Sequence, residues 1–377
     1  MWSSTAFLFL FALKASASIY SGPVGFREAF MASTGTALKN SPGNLILNPA
    51  GLSFLEDKRT NITVSGSLAG FEKVMATTYD KNSDNLTYRA LLVAGIFPIE
   101  IQQGYFAMYY FNPLDETSVS HSEDVANATT THRNYEVLTT SSVGGVAGGW
   151  APNKDLGVGL SATMGFDIRD LYETLTVQTP SLTSLQYTRT QVKYYYVQIV
   201  PGVLWLPHPR WSAGLTLQWR PFAFYNEGAA YIAQQSSQGM DLTEQVVNFK
   251  PHIKDESALT FGQRFVVDEN DELLLDLSYQ SRFSFQNQNG RELVISDIKS
   301  ASLGWQHKVG SSIDLMFGYA HFETNLTSTY LVTSGYAINR DSHHMLFGLY
   351  YKNIVGKADG IGQAITGGLL LSSDVIY

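Results

Sequence analysis

The chain has eight histidines and no cysteine in 377 residues, which excludes disulfides and thiolate metal sites at once. His121, His132, His208, His252, His307, His321, His343 and His344 show no spacing, such as His-Glu-x-x-His, that would bring two imidazoles onto one metal. A hydrolase would need a nucleophile and a base within reach. His321 with Ser300 or Ser302 could meet across neighbouring strands, yet nothing else in the sequence favours that pairing. No Gly-rich phosphate loop follows a strand and opens a helix. Catalytic residues, metals and cofactors are therefore all expected to be none, and the chain reads as a non-enzyme.

What the residues can do instead is handle apolar material beside a membrane. Residues 41–54 read Ser-Pro-Gly-Asn-Leu-Ile-Leu-Asn-Pro-Ala-Gly-Leu-Ser-Phe. Asn/Gly/Pro turns flank the triplet Leu45, Ile46 and Leu47, and Asn48-Pro49-Ala50-Gly51 can be a tight turn in any fold. Placed directly ahead of the first alternating strand, the segment reads as a plug, with the triplet packed inside a barrel.

The elements that must hold such a plug follow from composition and period. Charged residues are only 15% and aromatics 13%, with 32 Gly, while mean hydropathy is −0.06. Strands that alternate a lipid-facing apolar residue with a lumen-facing polar one explain that mixture. A net charge of −8 lacks the basic footprint that nucleic acid requires. Period-two alternation is plain at 59–71, 211–221, 272–285 and 313–319. In 272–285, Leu273, Leu275, Leu277, Tyr279, Phe283 and Phe285 share one side. A charge on the lipid face at mid-bilayer costs about 2 to 4 kcal/mol, so Arg220, Asp276, Arg282 and Asp314 are expected inside.

Turn signals divide the chain into fourteen strands, at 59–71, 86–97, 103–112, 134–150, 156–174, 185–206, 210–225, 250–267, 272–285, 294–308, 312–323, 327–338, 341–352 and 363–377. Short links at 98–102, 151–155, 207–209, 268–271, 309–311 and 339–340 would lie at the periplasmic end. The polar stretches 113–133 and 226–249 would be extracellular loops. Gly144-Gly145 and Gly148-Gly149 inside a strand pattern suggest tight curvature or close approach of the plug. Residues 5–13 form a nine-residue apolar run followed by Lys14 and Ala15-Ser16-Ala17. Too short to span a bilayer, the run fits a secretory signal cleaved after Ala17. Leu369, Leu371, Val375 and Tyr377 alternate to the end, as in a last strand read by the barrel assembly machinery.

With the strand count and Asn48-Pro49-Ala50-Gly51-Leu52 in hand, the chain resembles the outer-membrane long-chain fatty acid transporters of the FadL type. The same motif is similar to that of the PorV-like barrels, which shuttle secreted cargo, and the motif does not choose between them. The FadL resemblance implies an all-β transmembrane antiparallel β-barrel of about fourteen strands. It further implies a signal peptide at 1–17, an N-terminal hatch at 18–58 and a barrel at 59–377. A monomer in the outer membrane of a Gram-negative bacterium is implied, in contact with lipid bilayer and lipopolysaccharide. The ligand would be a hydrophobic small molecule, passed through an apolar lumen and released sideways beside a kinked third strand. Candidates for the lining are Phe106, Met108, Tyr110, Tyr194, Tyr196, Phe222, Phe224 and Met316, whose facing turns on register, since a slip of one residue sends each to lipid.

Overall fold

A computed structural model describes residues 22–55, 60–76, 79–83, 87–99, 104–111, 116–126, 129–179, 182–236, 239–251, 253–254, 257–286, 292–295, 297–325, 327–340, 342–357 and 363–376. The expected signal peptide lies outside them. Fourteen antiparallel strands close into a barrel. In chain order they are β1 (Asn61–Ala76), β2 (Thr87–Ile99), β3 (Gly104–Phe111), β4 (Thr129–Asn153), β5 (Leu156–Thr179), β6 (Leu182–His208), β7 (Trp211–Ser236), β8 (Ser257–Val266), β9 (Asp271–Gln280), β10 (Ile298–Val309), β11 (Ile313–Glu323), β12 (Thr327–Arg340), β13 (His343–Gly356) and β14 (Gln363–Ile376). Each pairs with its neighbours, and β14 pairs back onto β1 from Gln363↔Met75 to Ile376↔Asn61. Closure leaves the ring without an edge, the condition for strands to cross a hydrocarbon layer.

The six links β2–β3, β4–β5, β6–β7, β8–β9, β10–β11 and β12–β13 gather at one end, here the turn end, together with the start of β1 and the end of β14. At the β8–β9 turn, Asp268 accepts the backbone N–H groups of Asn270 and Asp271 at 2.8 and 2.9 Å. Those two donors hold its carboxyl below the usual carboxylate range. The opposite, loop end is uneven. β4 to β7 run 25, 24, 27 and 26 residues, whereas about 9–11 suffice to cross a membrane, so these four project well beyond it.

Two stretches expected as loops are largely strand. Glu116–Ala126 folds against the outer half of β4, and β7 continues to Ser236 before Gly239–Phe249 turns back on it. Their sequences mix polar and apolar residues without a sustained period of two, so alternation does not mark them. Ile253–Lys254, Phe283–Gln286 and Glu292–Ile295 form a separate small sheet, which is why β8 and β10 begin later, and β9 ends earlier, than the apolar pattern suggested. Arg282 sits exposed just beyond the end of β9.

The outer surface is an apolar band with Leu277, Leu303, Phe317 and Leu349 exposed. Trp150, Trp205, Trp305 and Tyr336 ring it toward the turn end, and Tyr110, Tyr195, Tyr225, Tyr279, Tyr319 and Tyr351 toward the loop end. Two aromatic girdles around an aliphatic belt are the signature of a barrel that sits in a bilayer.

Candidate functional site

Residues 22–55 fill the lumen. They contain two 3-10 turns, Arg27–Met31 and Pro49–Phe54, and one helical turn, α1 (Asn44–Leu47). The turn at Pro49–Phe54 touches β3, β4, β5 and β6, while that at Arg27–Met31 touches β10 to β14. Only a segment inside the ring can reach both walls.

The hatch is tied to the wall by hydrogen bonds. Asp276 on β9 accepts from Gly35 N at 2.9 Å, Thr36 N at 3.0 Å and Thr36 Oγ1 at 2.9 Å. Ala32 N donates to Thr333 Oγ1 on β12 at 2.8 Å, and Ser212 Oγ on β7 donates to Ala37 O at 2.8 Å. Tyr105 OH on β3 donates to Leu55 O at 2.9 Å. Asn48 does two jobs. Its Oδ1 caps the Pro49–Phe54 turn by accepting from Ala50 N at 3.1 Å, and its Nδ2 donates to Thr36 O at 2.7 Å and Val203 O at 3.1 Å. Ala32 and Ser33 sit at φ 53° and 64°, a left-handed bend that costs side-chain-bearing residues about 1–3 kcal/mol each. Hydrogen bonds from Ser33 N to Glu28 O and from Ala32 N to Thr333 hold it.

Such close seating needs a wall without side chains, and glycine supplies it. Cross-strand pairs Gly159↔Gly202, Gly214↔Gly262, Gly304↔Gly318 and Gly335↔Gly348 lie at hatch level. A Cβ at Gly159 would fall on the Pro49–Ala50 backbone, and one at Gly318 on the backbone of Met31 and Ala32. The strand glycines are thus a socket for the hatch.

Ala50 is buried with Ala37 and Leu204. Leu45, Ile46 and Leu52 are buried, and Leu47 packs partly buried against the same cluster. Their partners are Leu92, Ala94 and Ile96 of β2, Tyr105, Ala107, Tyr109 and Phe111 of β3, and Ala147 of β4. Register explains the strip: Leu92↔Phe111, Ala94↔Tyr109 and Ile96↔Ala107 are direct pairs on one face, and Ala107↔Ala147 continues it. Tyr109 OH shares a 2.7 Å hydrogen bond with Ser161 Oγ, which satisfies the one polar atom of that ring.

The adjoining wall, β5 to β7, is ionic. Asp167 Oδ2 accepts from Tyr194 OH at 2.6 Å and lies 3.5 Å from Arg220 Nη1 and 3.8 Å from Arg169 Nη2. Arg220 also donates to Tyr196 OH at 3.1 Å and stacks over that ring at 3.8 Å. On the loop side of this network, Val192, Tyr194 and Tyr196 pack with Ala223 and Phe249. Below the hatch, a cavity of about 590 Å³ opens at the turn end among Arg27, Asn61, Lys308, Asp314, His344 and Asp374. The lining there is mainly polar, whereas apolar side chains face the lumen along β2 to β4 and again on β9 and β11 to β14, where Leu274, Met316, Phe322, Leu331 and Leu346 pack with Phe30 and Met31 of the hatch.

Of the lining candidates, Tyr194, Tyr196 and Met316 point inward and are buried. Phe106, Met108, Tyr110 and Phe224 are 38%, 56%, 44% and 52% exposed and point outward to lipid. The side chain of Phe222 lies outside the described residues, although its backbone pairs with Val197. The cause on β3 is a one-residue register: Tyr-Phe-Ala-Met-Tyr-Tyr-Phe at 105–111 is apolar throughout, so alternation cannot orient it. At Phe224 a bulge intervenes, with Tyr196↔Ala223 followed by Tyr195↔Tyr225. The kinked third strand implied by the resemblance is not found either. β3 bonds to β2 and β4 along Gly104–Phe111 without a register shift, and it has no internal Pro or Gly to break it. Ser300 and Ser302 face the lumen, while His321 stacks on Tyr330 on the other face, ring centroids 4.9 Å apart, so the hydrolase pairing does not form. Among the described residues no three His, Asp or Glu side chains group as metal ligands.

Among solved structures, the chain is similar to the toluene transporter TodX of Pseudomonas putida, with TM-score 0.67 and 13% identity over 95% of this chain and 99% of that one. It is similar to the toluene transporter TbuX of Ralstonia pickettii, with TM-score 0.64 and 13% identity over 97% and 100%. A FadL homologue of Pseudomonas aeruginosa matches with TM-score 0.59 and 13% identity over 96% and 99%. No protein-family model matches the sequence, and no curated protein does. The fold is that of the FadL-type barrels.

Proposed function

We propose that this protein is an outer-membrane channel for passive uptake of apolar compounds, with the hatch as its gate. The observation that carries the reading is the strip on β2, β3 and β4. A barrel that conducts polar solutes lines its lumen with polar side chains, yet here the inward faces of 92–96 and 105–111 are as apolar as the outward ones. Leu45 and Leu52 of the hatch seat on that strip, so a shift of the hatch would uncover an apolar track.

In this reading the turn end faces the periplasm and the loop end the medium, residues 1–17 are a signal peptide, and the barrel works as a monomer inserted by the assembly machinery. The ligand class runs from small aromatic hydrocarbons such as toluene, after the structurally similar transporters TodX and TbuX, to long-chain fatty acids. Release into the bilayer is preferred to release through the turn-end cavity, whose lining is polar. The test is uptake of labelled toluene and labelled oleate by cells that lack their own transporter and express this chain. Uptake of either above an empty vector supports the reading. No uptake of either, with the barrel shown to be inserted by heat-modifiable gel mobility, contradicts it and favours a cargo-shuttle barrel.

A further inference from the structure

A smaller cavity, of about 50 Å³, lies on the loop side of the hatch. Val24, Ser33, Thr36 and Leu47 of the hatch form its floor, and Gln218, Thr260, Ser278, Ser300 and Phe322 of β7 to β11 form its wall. Register builds that wall. Thr260↔Ser278, Ser278↔Ser300 and Ser300↔Phe322 are direct cross-strand pairs, so three hydroxyls from three strands stand in one row, with Thr260 Oγ1 and Ser278 Oγ 2.9 Å apart. Asp276 and Ser302, a pair one inward position nearer the turn end, close the cavity below.

The hatch uses only half of the Asp276 carboxylate. Oδ2 takes all three hatch donors, while Oδ1 is buried with no hydrogen-bond partner among the described residues, and so is Gln218 Oε1 at the β7 side of the same cavity. A buried acceptor left unpaired is costly. A carboxylate oxygen can only accept, so what satisfies it is a donor. Among the described residues the lining contains no Lys, Arg or His. Arg220, two residues along β7 from Gln218, is taken up by Asp167, Tyr194 and Tyr196. The cavity therefore carries a negative charge without a cation, a setting that repels a second carboxylate. It also holds more polar atoms than a plain hydrocarbon could satisfy.

We propose that this cavity is a head-group site for an apolar compound that ends in a hydroxyl. The ligand O–H donates to Asp276 Oδ1, and its oxygen accepts from the row of Thr260, Ser278 and Ser300. At about 50 Å³ the cavity is far below the roughly 300 Å³ of a site that encloses a whole small molecule. It takes the polar end, and the ring or chain rests against Val24, Leu47 and Phe322. The inference rests on the uptake reading above and names the end of the ligand which that reading left open. It places a neutral phenol or alcohol ahead of an ionised fatty acid or a bare hydrocarbon, because a site built to bond a hydroxyl rejects the analogue that lacks one.

Three labelled compounds of one shape separate the cases: p-cresol, p-xylene and p-toluate carry a hydroxyl, a methyl and a carboxylate on the same ring. Equilibrium binding to the protein in lipid nanodiscs is measured at about pH 8, where a carboxylate is ionised and a phenol is not, with empty nanodiscs subtracted. Wild type is expected to bind p-cresol several-fold more tightly than either of the others. Asp276→Asn can keep its oxygen on the hatch donors and turn an amide N–H to the cavity, so the preference for p-cresol over p-toluate should shrink several-fold. Ser300→Leu fills the cavity and leaves the bonds of Asp276 in place. It should remove the advantage of p-cresol over p-xylene, and it decides the matter should the Asn variant not fold. Equal binding of p-cresol and p-xylene to wild type, tighter binding of p-toluate, or a p-cresol preference undiminished in Ser300→Leu overturns the site. So does the lack of any saturable p-cresol binding, the mark of a cavity that holds water only. Binding is read without transport, so uptake of toluene or oleate with no hydroxyl preference removes this site alone. A hydroxyl preference with uptake of neither removes the transport reading and leaves the site.

Discussion

Asp276 is the residue on which the seating of the hatch turns. It is buried, and one carboxylate oxygen holds Gly35 N, Thr36 N and Thr36 Oγ1 together. Asp276→Ala would leave two buried N–H groups unpaired, at about 1–3 kcal/mol each. Trypsin is then expected to cut at Arg27 or Lys39 in the variant and to spare the wild type. Resistance equal to that of the wild type would mean that these bonds do not hold the hatch. Little of this residue's role is visible in the sequence. Alternation in 272–285 placed Asp276 inside, as observed, but the donors it meets are some 240 residues away and carry no signal of their own. The Asn48 cap was easier, because Asn-Pro before a short turn has a local mechanism.

At the scale of the elements, β3 shows where period-two reasoning stops. Where a strand has a mostly polar inner face, as β9 does with Glu272, Asp276, Ser278 and Gln280, the lipid side was legible: Leu273 and Leu277 point outward. Where both faces are apolar, the pattern yields a strand with no orientation. That failure is itself informative, since a strand apolar on both sides must meet oil on both sides. The orientation is testable through Met108, 56% exposed on the outer face. Met108→Arg puts a charge against lipid and should cost about 2 to 4 kcal/mol, lowering the guanidinium midpoint of refolding into vesicles. A midpoint unchanged from wild type would place Met108 in the lumen. The glycine socket was only half read. Gly148-Gly149 suggested close approach, and Gly149 does meet Pro49 and Ser53, but Gly159, Gly202 and Gly318 attracted no notice as lone glycines in strands. Gly159→Val should push the Pro49–Phe54 turn out of its seat, raising the single-channel conductance of purified protein in planar bilayers. Conductance at the wild-type level would show that the wall yields instead.

For the molecule as a whole, strand number and order were legible because turn residues and alternation are local, and each of the fourteen expected strands has its counterpart in the ring. The extended wall of β4 to β7 was not. It depends on where the hairpins beyond the membrane dock, and their residues keep no sustained period of two to mark them in the sequence. The resulting lumen is apolar along two sectors, ionic along a third, mainly polar below, and stopped by a hatch bonded to five strands. Passage of oil through it requires that hatch to move. Ala37→Cys with Ser212→Cys would fix hatch to wall where Ser212 Oγ already lies 2.8 Å from Ala37 O. The decisive measurement is the uptake rate of a labelled apolar compound by cells carrying this pair, oxidised and then reduced. Hatch-gated transport requires uptake to be lost in the oxidised form and restored by reductant, whereas equal rates in the two states would contradict it.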